Sequence, residues 1–278
     1  ERAEAASLAK SRFLATMSHE LRTPLTGVLG MADLLSETTV TAKQREMIET
    51  VRDSGEGLLV IVNDILDLAK IEAGKMTLDN AVFSPADVFL RVRALFTPKA
   101  HAAGLVLGLE ISPDCTAHHV GDEHRLLQVL NNIVGNAIKF TTAGSVTIHG
   151  QMTSADTGNI LSIRVVDTGI GMTATQSAKV FEEFEQAEGS TARRFGGTGL
   201  GLSITQHLVT LMGGTIALKT EVDHGTEVTV TLPLAKQKLS EPDTEIAQDY
   251  DPAGLAGMRV LVADDNHANR RILETLLG

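Results

Sequence analysis

The apolar residues of the first seventy positions repeat by sevens, and that spacing restricts the fold more than any other property of the chain. Leu14, Leu21, Val28 and Leu35 are seven apart, and Met17, Pro24 and Met31 take the alternate positions of the same heptad. A second run obeys the same rule, with Val51, Leu58 and Ile65 spaced by seven and Met47, Ile61 and Leu68 between them. Such repetition gathers residues on one stripe of a helix. The threonine-rich stretch Ser36–Ala42 reads as a turn between two helices, and Gly74 closes the second. Two amphipathic helices of this length cannot bury their stripes as a lone pair. The spacing therefore predicts a helical hairpin that joins a second copy in a dimeric four-helix bundle.

On this register His19 falls on the outer face, beside Glu20, with Thr23 one turn further on. A surface histidine next to a carboxylate is placed to react with something outside the bundle. Pro24 removes a backbone hydrogen bond just after it, a soft point costing up to ~3 kcal/mol if unrelieved, and would let the bundle bend there.

From Met76 the pattern changes to mixed strands and helices. Thr77–Phe83 alternates like a strand, and Ser84-Pro85 caps a helix to about His101. Leu105–Ile111 reads as a second strand and Asp122–Phe140 as a long amphipathic helix. Ser145–Thr153 and Ile160–Asp167 form strands joined by a turn, followed by a short helix over Ala178–Glu185 and a glycine-rich loop. A helix over Gly199–Met212 and a hairpin of Thr215–Thr220 with Thr226–Leu234 complete the order. One layer of helices on one mixed sheet, an α/β sandwich, fits this sequence of elements.

The 278 residues suffice for two domains and linkers, which we place at 1–75 (helical hairpin), 76–234 (α/β sandwich), 235–257 (acidic linker) and 258–278. The last piece, Met258 to Asp265, is a buried-type strand ending in Asp264 and Asp265, with a helix beginning after it. The chain begins without methionine and reads as part of something larger. A net charge of −11 argues against nucleic acid as a partner. No run approaches the ~18–20 apolar residues of a membrane span, and Leu58–Leu68 is broken by Asn63, Asp64 and Asp67. The lone Cys115 excludes an intrachain disulfide and fits a reducing, cytoplasmic location.

Four separated elements between Thr77 and Leu234 match the needs of an ATP site. Asn132 and Asn136 share one helical face, where an amide oxygen can ligate Mg2+, and Lys139 adds a cation for phosphate. Asp167, at a strand end before Gly169 and Gly171, can accept a hydrogen bond from an exocyclic amine. Phe181 and Phe184 sit three apart in an acidic segment. Gly196, Gly197, Thr198, Gly199 and Gly201 run into a helix start, where free N–H groups favour phosphate.

The string Ser18 to Leu25 resembles the phospho-acceptor box of sensor histidine kinases, and the four elements resemble the N, G1, F and G2 boxes of their ATP-binding domain. The resemblance runs from about Ser11 to Leu234. It implies His19 as phospho-acceptor, Glu20 as base and Thr23 as the residue that orients a water for phosphatase activity. It also implies Asp167 on the adenine amine, Asn136 on Mg2+, Asn132 and Lys139 near the phosphates, and Gly169 and Gly171 along the base. Gly197, Thr198, Gly199 and Gly201 would shape a mobile lid in which Arg193 or Arg194 contacts the γ-phosphate. Met258 to Asp265 resembles the opening of a receiver domain, with Asp264 and Asp265 as its Mg2+ pair, which makes the kinase a hybrid type. The implied partners are a second copy, a receiver domain in cis or in trans, and an upstream sensor domain. The same ATPase superfamily includes the topoisomerase clamps, so a clamp without a phosphoprotein and a silent scaffold are the competing readings.

Overall fold

A computed structural model describes residues 20–155, 158–183, 185 and 199–236. The described chain divides into two units, one ending at Asn63 and one beginning at Asp64. His19, Arg193, Arg194, Gly197, Thr198, Asp264 and Asp265 lie outside the described residues.

The first unit is the expected helical hairpin. Helix α1 covers 20–36 of the described residues and runs through Pro24; helix α2 is Ala42–Glu72 and crosses into the second unit. A reciprocal cap starts α2: the Thr41 N–H donates to Gln44 Oε1 at 2.9 Å, and the Gln44 N–H donates to Thr41 Oγ1 at 3.3 Å. The two helices meet through Leu25 and Leu29, which lie against Gly55, and Ala32 is buried. Gly55 permits this approach, since a Cβ there would lie 2.8 Å from Leu29 Cδ2. The heptad stripe faces outward, with Leu21, Val28, Met31, Leu35, Met47, Val51, Leu58 and Ile61 all exposed. Among them runs a groove of about 530 Å3 lined by Pro24, Val28, Met31, Leu35, Met47 and Val51.

The second unit is an α/β sandwich. Its strands are β1 (Ala81–Phe83), β2 (Val106–Ile111), β3 (His119–Gly121), β4 (Ser145–Ala155), β5 (Gly158–Asp167), β6 (Thr215–Glu221) and β7 (Gly225–Lys236). They form one sheet in the order β1-β3-β7-β5-β4-β2, with β6 on β7. Only the β2–β4 pairing is parallel, so the sheet is mixed. Helices α3 (Pro85–Ala102), α4 (Glu123–Phe140) and α6 (Gly201–Leu211) cover one face. Phe89, Leu130, Ile148, Ile163, Ile204 and Leu232 fill the layer between and are fully buried. The other face carries the alternate, more polar residues of each strand.

Several boundaries differ from the sequence reading. The strand expected at Thr77–Phe83 contracts to Ala81–Phe83, and the three-residue β3 has too few residues to show a period. The short helix expected at Ala178–Glu185 is instead α5 (Ala174–Lys179), because a capping box of Thr173 and Gln176 starts it earlier.

Asp122 sets the start of α4. It is 3% exposed; its Oδ1 accepts from the Arg125 N–H at 2.9 Å and its Oδ2 from the Asp79 N–H at 2.9 Å. One carboxylate thus caps the helix and pins the chain that enters the sandwich. Asp122→Ala is expected to cost about 1–2 kcal/mol of stability, read as a lower urea midpoint at constant m. An unmoved midpoint would contradict this role.

Candidate functional site

The site is built at one end of the sheet, where β5 stops, β7 begins and α4 ends. Asp167 is the last residue of β5 and pairs with Thr226, the second residue of β7. Its Oδ1 accepts from the Gly169 N–H at 2.9 Å and from the Thr226 N–H at 3.2 Å. Both bonds fall on the same oxygen, so Oδ2 stays clear of the backbone and can receive a ligand's donor.

Asp167 is only 8% exposed, and burial pushes its carboxyl above the ordinary value of 3.8, with the two amide hydrogen bonds pulling the other way. Burial dominates. The folded form therefore binds this proton more tightly than the unfolded chain does. The stability this contributes is present below 3.8 and is lost as pH rises through the folded pKa.

The turn after Asp167 needs its glycines for packing inside the protein. A Cβ on Gly169 would lie 2.5 Å from the Phe140 carbonyl oxygen at the end of α4. Gly171 has φ +61, and a Cβ there would lie 1.8 Å from the Glu221 carbonyl oxygen. The Ile170 N–H donates to the Phe140 carbonyl at 3.2 Å, and the Asp223 N–H donates to the Ile170 carbonyl at 2.8 Å. The turn is thus clamped between α4 and the β6–β7 hairpin, which fixes Asp167 relative to α4.

Along α4 the polar residues Arg125, Gln128, Asn132, Asn136 and Lys139 recur at three- and four-residue spacing and share one face. Asn132 Nδ2 donates to the Gly201 carbonyl at 3.2 Å and to Thr205 Oγ1 at 3.3 Å, tying α4 to the start of α6. Asn136 lies one turn further on, partly buried. Lys139 stands over the Phe140 ring, 5.1 Å from its centroid, and burial lowers its pKa from 10.5. Gly199 has φ +72 and Gly201 opens α6, so the stretch entering that helix adopts a backbone favoured by glycine.

The structure therefore brings Asn132, Asn136, Lys139, Asp167, Gly169, Gly171 and Gly201 around the junction of α4, α6 and the β5 end. In the hairpin unit, Glu20 and Thr23 are both exposed on α1. Thr226 and Thr220 were not singled out by sequence reasoning. Thr226 acts through its backbone N–H, while Thr220 Oγ1 accepts from the Met172 N–H at 2.9 Å. The one available signal was Asp223-His224-Gly225-Thr226, a tight turn with Asp223 at φ 61.

Comparison with known proteins bears on both units. The family described as histidine kinase-, DNA gyrase B- and HSP90-like ATPase matches residues 121–236, and the His Kinase A (phospho-acceptor) domain matches residues 9–74. The autoinducer 2 sensor kinase/phosphatase LuxQ of Vibrio parahaemolyticus is 38% identical over 277 residues, which are 98% of this chain and 32% of that protein. The signal transduction histidine-protein kinase BarA of Escherichia coli is 42% identical over 226 residues, covering 81% of this chain and 25% of that protein. Full-length ShkA, solved in complex with AMPPNP, matches with a TM-score of 0.65 at 39% identity, over 81% of this chain and 46% of that one. The chain spans about a third or less of these curated relatives. With an acceptor domain followed by an ATPase domain in one polypeptide, the chain belongs to the sensor histidine kinases.

Proposed function

We propose that this chain transfers the γ-phosphoryl group of ATP to His19 and that the group then passes to an aspartate of a receiver domain. The observation that carries the reading is the geometry of Asp167: a buried carboxylate with one oxygen held by two amides and the other clear of the backbone. It stands in the same chain as the acceptor motif Ser18 to Leu25.

The clear oxygen of Asp167 receives the exocyclic amine of adenine, which orients the base at the β5 end. Lys139 and the N–H groups entering α6 then meet the phosphates, together with Asn132 and either Arg193 or Arg194. Asn136 suits Mg2+, because a neutral amide oxygen is a hard donor and adds no charge. Mg2+ would supply charge neutralisation at the phosphates.

In the transfer, a ring nitrogen of His19 forms the N–P bond as the bond from the γ-phosphorus to the bridging oxygen breaks, and ADP leaves with that electron pair. The proton on the other ring nitrogen passes to Glu20, its neighbour in sequence. Thr23, one turn on, is placed to orient a water that attacks phosphohistidine or the receiver's phosphoaspartate and releases inorganic phosphate, a separate phosphatase reaction.

Residues 1–75 take the role of dimerisation and acceptor hairpin, and 76–234 that of ATP-binding domain; 235–257 is a linker and 258–278 the opening of a receiver. The exposed heptad stripe of the hairpin supports a homodimer, because a second copy would cover the apolar residues that α1 and α2 leave to solvent. Among the described residues no helix is long and apolar enough to cross a membrane. An ATP clamp without a phosphoprotein lacks any use for the Ser18 to Leu25 motif.

Incubation with γ-labelled ATP and Mg2+ is expected to leave an acid-labile, alkali-stable phosphoryl group on the chain, absent in His19→Gln. Label retained in that variant would overturn the reading. Nucleotide affinity is expected to fall as pH drops toward the raised pKa of Asp167, because the neutral carboxyl no longer accepts fully from the amine. The decline should begin above the pH at which an ordinary carboxyl of pKa 3.8 would titrate. A flat profile by calorimetry down to pH 4 would contradict it.

A further inference from the structure

Asp67 belongs to none of the motifs above, yet its carboxylate joins the end of α2 to α4. It lies in the last turns of α2, which already count as part of the sandwich: Leu68 and Ala69 are buried, and Ile65 and Ile71 pack on its core. One carboxylate oxygen, Oδ2, accepts from Arg125 Nη1 at 3.0 Å and from Gln128 Nε2 at 2.8 Å. Arg125 Nη1 also donates to Gln128 Oε1 at 2.7 Å, which closes a three-membered polar clasp. Asp67 is 9% exposed, so the clasp is largely shielded from water. A shielded ion pair is costly to break, because either partner left alone remains desolvated.

Apolar packing alone would let the end of α2 rotate or slide by a fraction of a turn. Two directional bonds to one carboxylate, with a third joining their donors, do not. The partners sit on the same face of α4 that serves the site. Gln128 is one turn from Asn132, which holds the start of α6, and Asn136 and Lys139 follow. A single helical face thus grips the end of the hairpin helix at one end and meets the nucleotide at the other.

We infer that Asp67 is a positioning residue for phosphoryl transfer, acting through Arg125 and Gln128 to fix the last turns of α2 against α4. Its effect falls on the transfer step and leaves nucleotide binding alone. This rests on the function proposed above.

The test compares the chain with Asp67→Ala, Arg125→Ala and the double variant, reading ATP affinity and the rate of His19 labelling at saturating ATP and Mg2+. Asp67→Ala is expected to keep ATP affinity within about twofold while labelling slows at least about tenfold. The double variant should be no slower than the worse single one, as for residues acting as a unit. Asp67→Ala labelling within twofold of the parent overturns the inference. So does a fall in affinity that matches the fall in rate, which would mark a general structural loss. No acid-labile label on the parent overturns the function reading and this inference with it, whereas a labelled parent with an unaffected variant overturns this inference alone.

Discussion

The carboxylate of Asp167 is an ionisable group kept nearly dry, and two backbone amides from separate stretches of the chain make that position tenable. The Gly169 amide belongs to the turn that follows β5, and the Thr226 amide to the start of β7. For both to reach one oxygen, the turn must pack tightly against the end of α4 and against the β6–β7 hairpin. Backbone without side chains at Gly169 and Gly171 allows this, since a Cβ at either would collide with a carbonyl oxygen. The acid, the two glycines, the hairpin turn and the end of α4 therefore form one arrangement in which each part requires the others.

Helix α4 extends that arrangement across the sandwich. Asp122 caps its start and holds the incoming chain, and its apolar face, including Leu126, Leu130 and Ile133, is buried. Its polar face carries Arg125, Gln128, Asn132, Asn136 and Lys139 in succession. The first two grip the end of α2, the third holds α6, and the last two follow toward the C-terminal end of the helix. Set in this way, helix α4 serves as the common reference for the last turns of α2, the start of α6 and the side chains of Asn136 and Lys139.

The sequence made some of this legible and hid the rest for physical reasons. The helix at Asp122–Phe140 was readable almost to the residue, because the cap and the 3.6-residue period agree there. The acidic turn at Asp167 was readable because a carboxylate before spaced glycines is rare outside tight turns. The heptads announced two helices, but the stripe they mark is the one left outward in a single chain. Leu25 and Leu29 meet α2 instead, at Gly55, where a missing side chain is the only written sign of a close approach. The Thr226 amide could not be found in a sequence, since every residue except proline carries the same donor. The Asp67 clasp joins positions 58 and 61 residues apart, a distance no local pattern encodes.

The central claim is that the clear oxygen of Asp167 reads the adenine amine, and nucleotide discrimination tests it most directly. Calorimetric titration of the chain with ATP and with GTP, in Mg2+ at neutral pH, should show ATP bound at least about tenfold more tightly. Guanine offers a carbonyl where adenine offers an amine, and a carboxylate facing a carbonyl is left unpaired. Asp167→Asn should lose most of the ATP affinity. Equal binding of the two nucleotides, or undiminished ATP binding by Asp167→Asn, would contradict the account.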